Sequence, residues 1–119
     1  MVMVGGVVLG LLGTAAHADD PTLVSVSIVD TPRLQANWGF APREITVAPG
    51  AWVTWSNDGY DAHTVTAADA SFDSGELQPS EGFSWYFDQP GTYEYICQLH
   101  PWMKGRISVV DPNAGDSSA

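Results

Sequence analysis

The chain of 119 residues contains a single cysteine, Cys97, so no disulfide can form within it. It is long enough to bury an apolar core without such cross-links and too short for two ordinary domains. Helix-forming runs are scarce beyond the N-terminus, where short stretches rich in Val, Thr, Ile, Trp, Tyr and Phe are separated by Gly, Pro, Asn and Asp. We therefore expect one all-β domain.

Basic residues are also scarce, because four Lys and Arg stand against 14 Asp and Glu, a formal net charge of −10. Such a chain is a poor partner for nucleic acid, whose phosphates require clusters of Lys and Arg. The acidity promotes solubility and would speed encounter with a basic-faced protein. A solvated acidic surface without a partner explains the same balance.

The sequence lacks an apolar run long enough to span a bilayer, which takes roughly 20 residues. Residues 1–18 are free of charge and end in Ala16-His17-Ala18, which favours a secretory signal peptide cleaved after Ala18. A basic n-region is missing, so a retained weak anchor is the alternative. We expect export to the periplasm or another extracytoplasmic face, a mature domain over residues 19–111 and a disordered tail over residues 112–119.

Alternation of apolar and polar residues predicts seven strands, over Leu23–Val29, Glu44–Ala48, Trp52–Ser56, His63–Ala67, Phe83–Phe87, Thr92–Cys97 and Gly105–Val110. An eighth, shorter strand is expected within Leu34–Gly39. Turn residues such as Pro-Gly and Asn-Asp-Gly separate the strands.

Side chains two residues apart share one face of a strand, which predicts the inward residues of two segments. These are Phe83, Trp85 and Phe87 in one segment and Tyr93, Tyr95 and Cys97 in the other. Two such sheets packed face to face make a β-sandwich. Four tryptophans are expected in the core or framework: Trp38, Trp52, Trp55 and Trp85.

Residues that bind soft metals are few once residues 1–18 are removed: His63, Cys97, His100 and Met103. An unpaired thiol in an exported protein is open to oxidation unless it is buried or bound to metal. Taken singly, the Cys and the Met are explained as core and each His as polar surface. Taken together they favour a metal site, because all of them would otherwise fall into ligand spacing by accident.

Cys97, His100 and Met103 stand at Cys-x2-His-x2-Met in the loop after a predicted strand. His63 lies 34 residues before Cys97, and sandwich topology can bring it alongside. A thiolate, two imidazoles and a weak thioether are the donors of a blue-copper centre, so one copper ion is the predicted cofactor. Zinc also accepts Cys and His, but Met is a poor zinc donor.

Residues 40–110 resemble a cupredoxin of the amicyanin and plastocyanin kind. Val53-Thr54-Trp55-Ser56-Asn57 before His63 is similar to the family's approach to its first histidine, and Gly91-Thr92-Tyr93-Glu94-Tyr95 resembles its approach to the cysteine. The two-residue gap from His100 to Met103, with Pro101 after the histidine, looks most like amicyanin. The resemblance implies a Greek-key sandwich with copper near one end, His63, Cys97 and His100 as equatorial ligands and Met103 as the axial ligand.

One departure from the family concerns Thr64, which stands where the family commonly has an Asn that braces the ligand loops. The Thr64 hydroxyl or Asn57 could replace that bracing. Ile96, before the cysteine, stands where some members have an aromatic residue.

The resemblance also implies a monomeric one-electron carrier, not an enzyme, that serves exported or membrane-bound redox partners through the edge of His100. Leu99, Pro101 and Trp102 would form an apolar rim for docking, although Trp102 could instead fold back and shield the metal. A copper delivery module is the alternative, and the single mature Met argues against it. A copper enzyme would need a second metal site, for which no His remains.

Overall fold

The computed structural model describes residues 22–31 and 34–113. The predicted signal peptide, residues 1–18, and residues 114–119 of the predicted tail lie outside this part. The described residues form eight strands: β1 (Thr22–Val29), β2 (Gly39–Ala41), β3 (Glu44–Val47), β4 (Ala51–Asn57), β5 (Thr66–Ala67), β6 (Gly82–Phe87), β7 (Gly91–Ile96) and β8 (Lys104–Val109). A 3-10 turn covers Gln35–Asn37. None of the helical segments within residues 22–31 and 34–113 has the length and apolarity needed to cross a membrane.

The strands form two four-stranded sheets, ordered β2-β1-β4-β6 and β3-β8-β7-β5. Each sheet contains one parallel pair, β1 with β4 and β3 with β8, and its other pairs are antiparallel. Strands that are neighbours in space are thus seldom neighbours in sequence, as in Greek-key connectivity. The predicted all-β Greek-key β-sandwich is confirmed.

Strand β4 shows why the sequence folds this way, because its side chains alternate strictly between core and solvent. Its buried side is built around Trp55, which is fully buried. Four rings surround that indole at centroid distances of 5.4–6.5 Å: Phe72, Phe83, Phe87 and Tyr95. This aromatic cluster joins the two sheets.

The tryptophan predictions hold only in part. Trp55 is core, whereas Trp52 on the opposite face of β4 is 41% exposed and packs against Tyr86. Trp85 shares a face with Phe83, as predicted, but remains 37% exposed because β6 is an edge strand. Trp52 and Trp85 are therefore framework rather than core residues, and Trp85 is less deeply inward than predicted.

The predicted strand over His63–Ala67 is also wrong for most of its length, since only Thr66–Ala67 forms a strand. His63 instead makes an isolated bridge with Leu77 through two backbone hydrogen bonds of 3.0 and 2.7 Å. The next two N–H groups donate to side chains, Thr64 to Cys97 Sγ and Val65 to Ser74 Oγ. A ladder cannot continue where its donors are used in this way.

The short strand expected within Leu34–Gly39 begins only at Gly39. Before it, the N–H groups of Asn37 and Trp38 donate to the carbonyls of Leu34 and Gln35, three residues back. These local bonds form the 3-10 turn and use two donors that a strand would need.

Candidate metal centre

Three of the predicted ligands lie in the loop between the antiparallel strands β7 and β8. Backbone hydrogen bonds connect all three: Cys97 N–H to Met103 O, His100 N–H to Cys97 O, and Met103 N–H to His100 O, at 3.1, 3.2 and 2.8 Å. Cys97 and Met103 are fully buried, and His100 is partly exposed. The loop is therefore a tight turn whose shape is set by the ligand residues' own backbone.

His63 completes the group from the other ligand segment. Its Nδ1 lies 3.7 Å from Cys97 Sγ and 3.2 Å from His100 Nδ1, and Cys97 Sγ lies 3.5 Å from His100 Nδ1. The centre of a triangle of this size is about 2 Å from each corner, close to the bond lengths of imidazole and thiolate to a first-row metal such as zinc. The three side chains thus fit a single metal ion.

The chemistry of the donors favours copper. Thiolate and thioether suit Cu(I), and imidazole suits both oxidation states. Met103, which is fully buried, adds the thioether from the same loop. The donor set and its spacing are those expected of a type 1 copper site.

Thr64 holds the two ligand segments together. Its N–H donates to Cys97 Sγ at 3.4 Å, and its hydroxyl accepts the Gln98 N–H at 2.8 Å. Asn57 acts further from the thiolate: its amide donates to the carbonyls of Asp61 and Leu77 and accepts the Gly59 N–H. Of the two replacements considered for the family's Asn, Thr64 is the one that touches the ligand loop.

Replacing Thr64 with valine should lower the free energy of unfolding of the metal-free protein by about 1–3 kcal/mol, because the Gln98 N–H loses its acceptor. Valine keeps the shape of the side chain and the backbone donor to Cys97. Chemical denaturation measures the loss. Thr54→Val is the matched control, since the Thr54 hydroxyl is exposed and its one bond among the described residues is with Ser84 Oγ; its expected change is within about 0.5 kcal/mol. Equal losses in the two variants would contradict the bracing role of Thr64.

The environment of Cys97 favours the thiolate. Burial alone would raise the pKa of this thiol, but hydrogen bonds with His63, the Thr64 N–H and His100 lower the pKa from 9.0 to about 6. Burial likewise opposes the charged form of His63, whereas its bonds with Cys97 and Asp30 raise its pKa above 6.5. The metal-free site therefore favours a thiolate beside an imidazolium.

The ultraviolet absorbance of the thiolate in metal-free protein should titrate with a midpoint of about 6. Because folding lowers the pKa of Cys97, its thiolate contributes its whole share to the free energy of unfolding above the unfolded pKa of about 8.5. That contribution is lost as the pH falls through about 6. Unfolding free energies measured across this range should lose this pH dependence in Cys97→Ser. A thiolate titration in the folded protein with its midpoint at about 8.5 would contradict the prediction.

Asp30 is a buried residue beside the site that sequence reasoning missed. It follows β1, its side chain is 1% exposed, and its Oδ2 lies 2.9 Å from His63 Nε2. Burial alone would raise the pKa of Asp30, but hydrogen bonds from His63, Asp61 and Tyr60 outweigh burial and hold the pKa below its usual value. A signal was present, because Val26, Ile28 and Asp30 lie two residues apart and so share the buried face of β1.

Aromatic rings border the one predicted ligand that reaches the surface. The Trp38 ring lies edge-on to His100 at 5.2 Å and to His63 at 6.1 Å, so this partly buried side chain packs between the core and the metal centre. The Trp102 ring lies 5.4 Å from that of His100, and its Nε1 donates to the Gln35 carbonyl. Trp102 stays 43% exposed and so forms part of the rim.

A family model for the cupredoxin-like domain matches residues 1–109 of the sequence. The chain belongs to the cupredoxin-like family. Among relatives of this cupredoxin, amicyanin-alpha from Methylorubrum extorquens is 33% identical over 79 residues, a match that spans 62% of this chain and 66% of that protein. The resemblance to the amicyanin kind is confirmed.

Two solved structures of different size have a fold similar to that of this cupredoxin. A purple cupredoxin from Nitrosopumilus maritimus superposes with a TM-score of 0.64 and 26% identity, over 73% of this chain and 99% of that one. A copper-containing nitrite reductase from Thermus scotoductus superposes with a TM-score of 0.65 and 27% identity, over 78% of this chain but 23% of that one. The fold is thus similar both to a free-standing domain and to part of a larger enzyme.

Proposed function

We propose that this cupredoxin is a type 1 copper protein that carries single electrons. The triangle of His63, Cys97 and His100, with Met103 in the same loop as the last two, is the observation that carries the proposal. The first three would be equatorial ligands and Met103 the axial one. When bound, copper supplies the one-electron couple between Cu(I) and Cu(II).

The protein's part is to hold the donor atoms still while the charge changes. The backbone bonds within the ligand loop and the Thr64 bridge to Gln98 restrict the positions of Cys97 and His100. Outer hydrogen bonds of this kind orient ligands and tune the metal. A site that already suits both oxidation states needs little rearrangement during transfer.

Electrons would enter and leave through His100, because the other three ligands are fully buried. Around it, Leu99, Pro101 and Trp102 are exposed and form an apolar rim suited to docking. Arg43 and Lys104 line a groove beside Trp102. We propose a monomer whose charge of −10 attracts basic-faced redox partners over longer distances.

A second part of the proposal concerns export. We propose that residues 1–18 are a signal peptide cleaved after Ala18, which would deliver a domain over residues 19–111 and a disordered tail, residues 112–119, to the periplasm or another extracytoplasmic face. The buried position of Cys97 supports export, because a buried or metal-bound thiol is protected in an oxidising compartment. N-terminal sequencing of the secreted protein tests the cleavage.

The copper-loaded protein should show a reversible one-electron wave in voltammetry and release copper slowly to a competing chelator. A delivery module has to exchange its metal, so rapid and complete loss to the chelator would favour that alternative.

An enzyme with this fold would need a further metal site. Within the described part of the chain, His63, Cys97 and His100 form the one group of three such donors.

A further inference from the structure

Asp30 reaches the metal centre because of the parallel pairing of β1 with β4. The register sets Val26 opposite Trp55 and Ile28 opposite Asn57, and the Asp58 N–H donates to the Ile28 carbonyl. The residue after β1 is thereby brought beside the loop of residues 58–62, which leads into His63.

The Asp30 carboxylate is bonded to three groups, two backbone N–H groups and the His63 ring. Oδ2 accepts the Tyr60 and Asp61 N–H groups at 2.8 Å each and lies 2.9 Å from His63 Nε2, while Oδ1 shares the Tyr60 N–H. Among the described residues, His63 is its one ionisable partner within salt-bridge distance. The carboxylate thus joins the end of β1, the loop and the ligand.

The loop closes tightly over this carboxylate. A Cβ atom at Gly59 would lie 2.4 Å from Asp30 Oδ2, a distance that no side chain could occupy without a shift. Asn57 holds the loop from its other side through the Asp61 carbonyl. The position of Asp30 relative to His63 is therefore fixed by packing as well as by hydrogen bonds.

We propose that Asp30 is a positioning residue that fixes the ring of His63 with Nδ1 toward Cys97 and lowers the reduction potential of the site. The inference rests on the proposed copper function. With its Nε2 hydrogen donated to Asp30, the His63 ring has Nδ1 as its free donor atom, and Nδ1 is the atom that faces the Cys97 thiolate.

The sign of the effect follows from charge. Cu(II) carries one more positive charge than Cu(I), so a buried anion joined to a ligand stabilises the oxidised state more. The carboxylate also makes the imidazole a stronger donor. Both effects lower the potential, and water cannot screen them because the side chains of Asp30 and His63 are buried.

Asp30→Asn removes the charge and keeps the shape. At a fixed electrode potential, we expect the ratio of Cu(I) to Cu(II) to rise about tenfold, which corresponds to about 59 mV for a one-electron couple. The matched control is Asp58→Asn, which removes a charge from the same loop; that carboxylate is exposed and bonded to Ser27 and Ser56. The control should change the ratio by about twofold or less. Equal shifts in the two variants, or none in Asp30→Asn, would overturn the proposal.

Nuclear magnetic resonance of the metal-free protein tests the positioning without copper. The Nε2 proton of His63 should be detected in the wild type, protected from exchange with water, and should be lost in Asp30→Ala. A wild-type ring proton that exchanges freely would overturn the proposal even if the variants fail to fold. A wild type that binds no copper would overturn the electron-carrier function, and the ring proton would still decide whether Asp30 holds His63.

Discussion

Addition of copper(II) to the wild-type protein should produce an intense visible absorption, and Cys97→Ser should abolish it. The band would arise from charge transfer from the Cys97 thiolate to the metal, and the chain contains no other cysteine. Serine is nearly the same size, but its hydroxyl is a hard donor that does not replace a thiolate on copper. Visible spectra recorded during titration with copper(II) measure the result.

The control keeps one thiol per chain and moves it. In the double variant Cys97→Ser/Ser84→Cys, the new thiol lies on the exposed part of β6, outside the group of His63, Cys97 and His100. This variant should remain colourless with copper(II). An undiminished band in Cys97→Ser, or a colourless wild-type complex, would contradict the type 1 site.

Trp55→Ala should lower the free energy of unfolding by about 3–5 kcal/mol, the usual cost of removing a large buried aromatic side chain. Since domains are typically stable by only about 5–15 kcal/mol, the variant would lose a large share of its stability. The indole is fully buried among four aromatic rings from both sheets, so the cavity cannot close without moving them. Denaturant unfolding of the metal-free protein measures the change.

The same strand provides the control. Trp52→Ala removes an equal side chain from the outer face of β4, where the indole is 41% exposed and contacts Tyr86. Its expected cost is about 1 kcal/mol, the value of an aromatic pair. Similar losses in the two variants would show that the aromatic cluster around Trp55 does not hold the sheets together.

The fold was predictable where alternation was strict. In β4 the buried residues Ala51, Val53 and Trp55 alternate with more exposed ones, and the predicted bounds, Trp52–Ser56, differ from the observed ones by one residue at each end. Prediction failed at His63–Ala67, where the apolar residues suggested a strand but the N–H groups of Thr64 and Val65 bond to side chains distant in sequence. Such long-range bonds leave no local pattern.

Different parts of the candidate site were predictable for different reasons. Cys97, His100 and Met103 were predicted from spacing within one loop, and the structure brings His63 to Cys97 and His100 as expected. Asp30 and Trp38 were missed because their contacts with the histidines depend on how distant segments pack. A polar residue on the buried face of an apolar strand was the one local sign of Asp30.

The bond between Asp30 and His63 joins residues 33 positions apart, and the contact between His63 and Cys97 joins residues 34 positions apart. The centre is therefore built from three sections of the chain that are far apart in sequence. Contacts of this range form late and slowly in folding, because much chain must be ordered first. A polypeptide still emerging from the ribosome would lack the complete centre, so tight metal binding would report that the whole domain has folded.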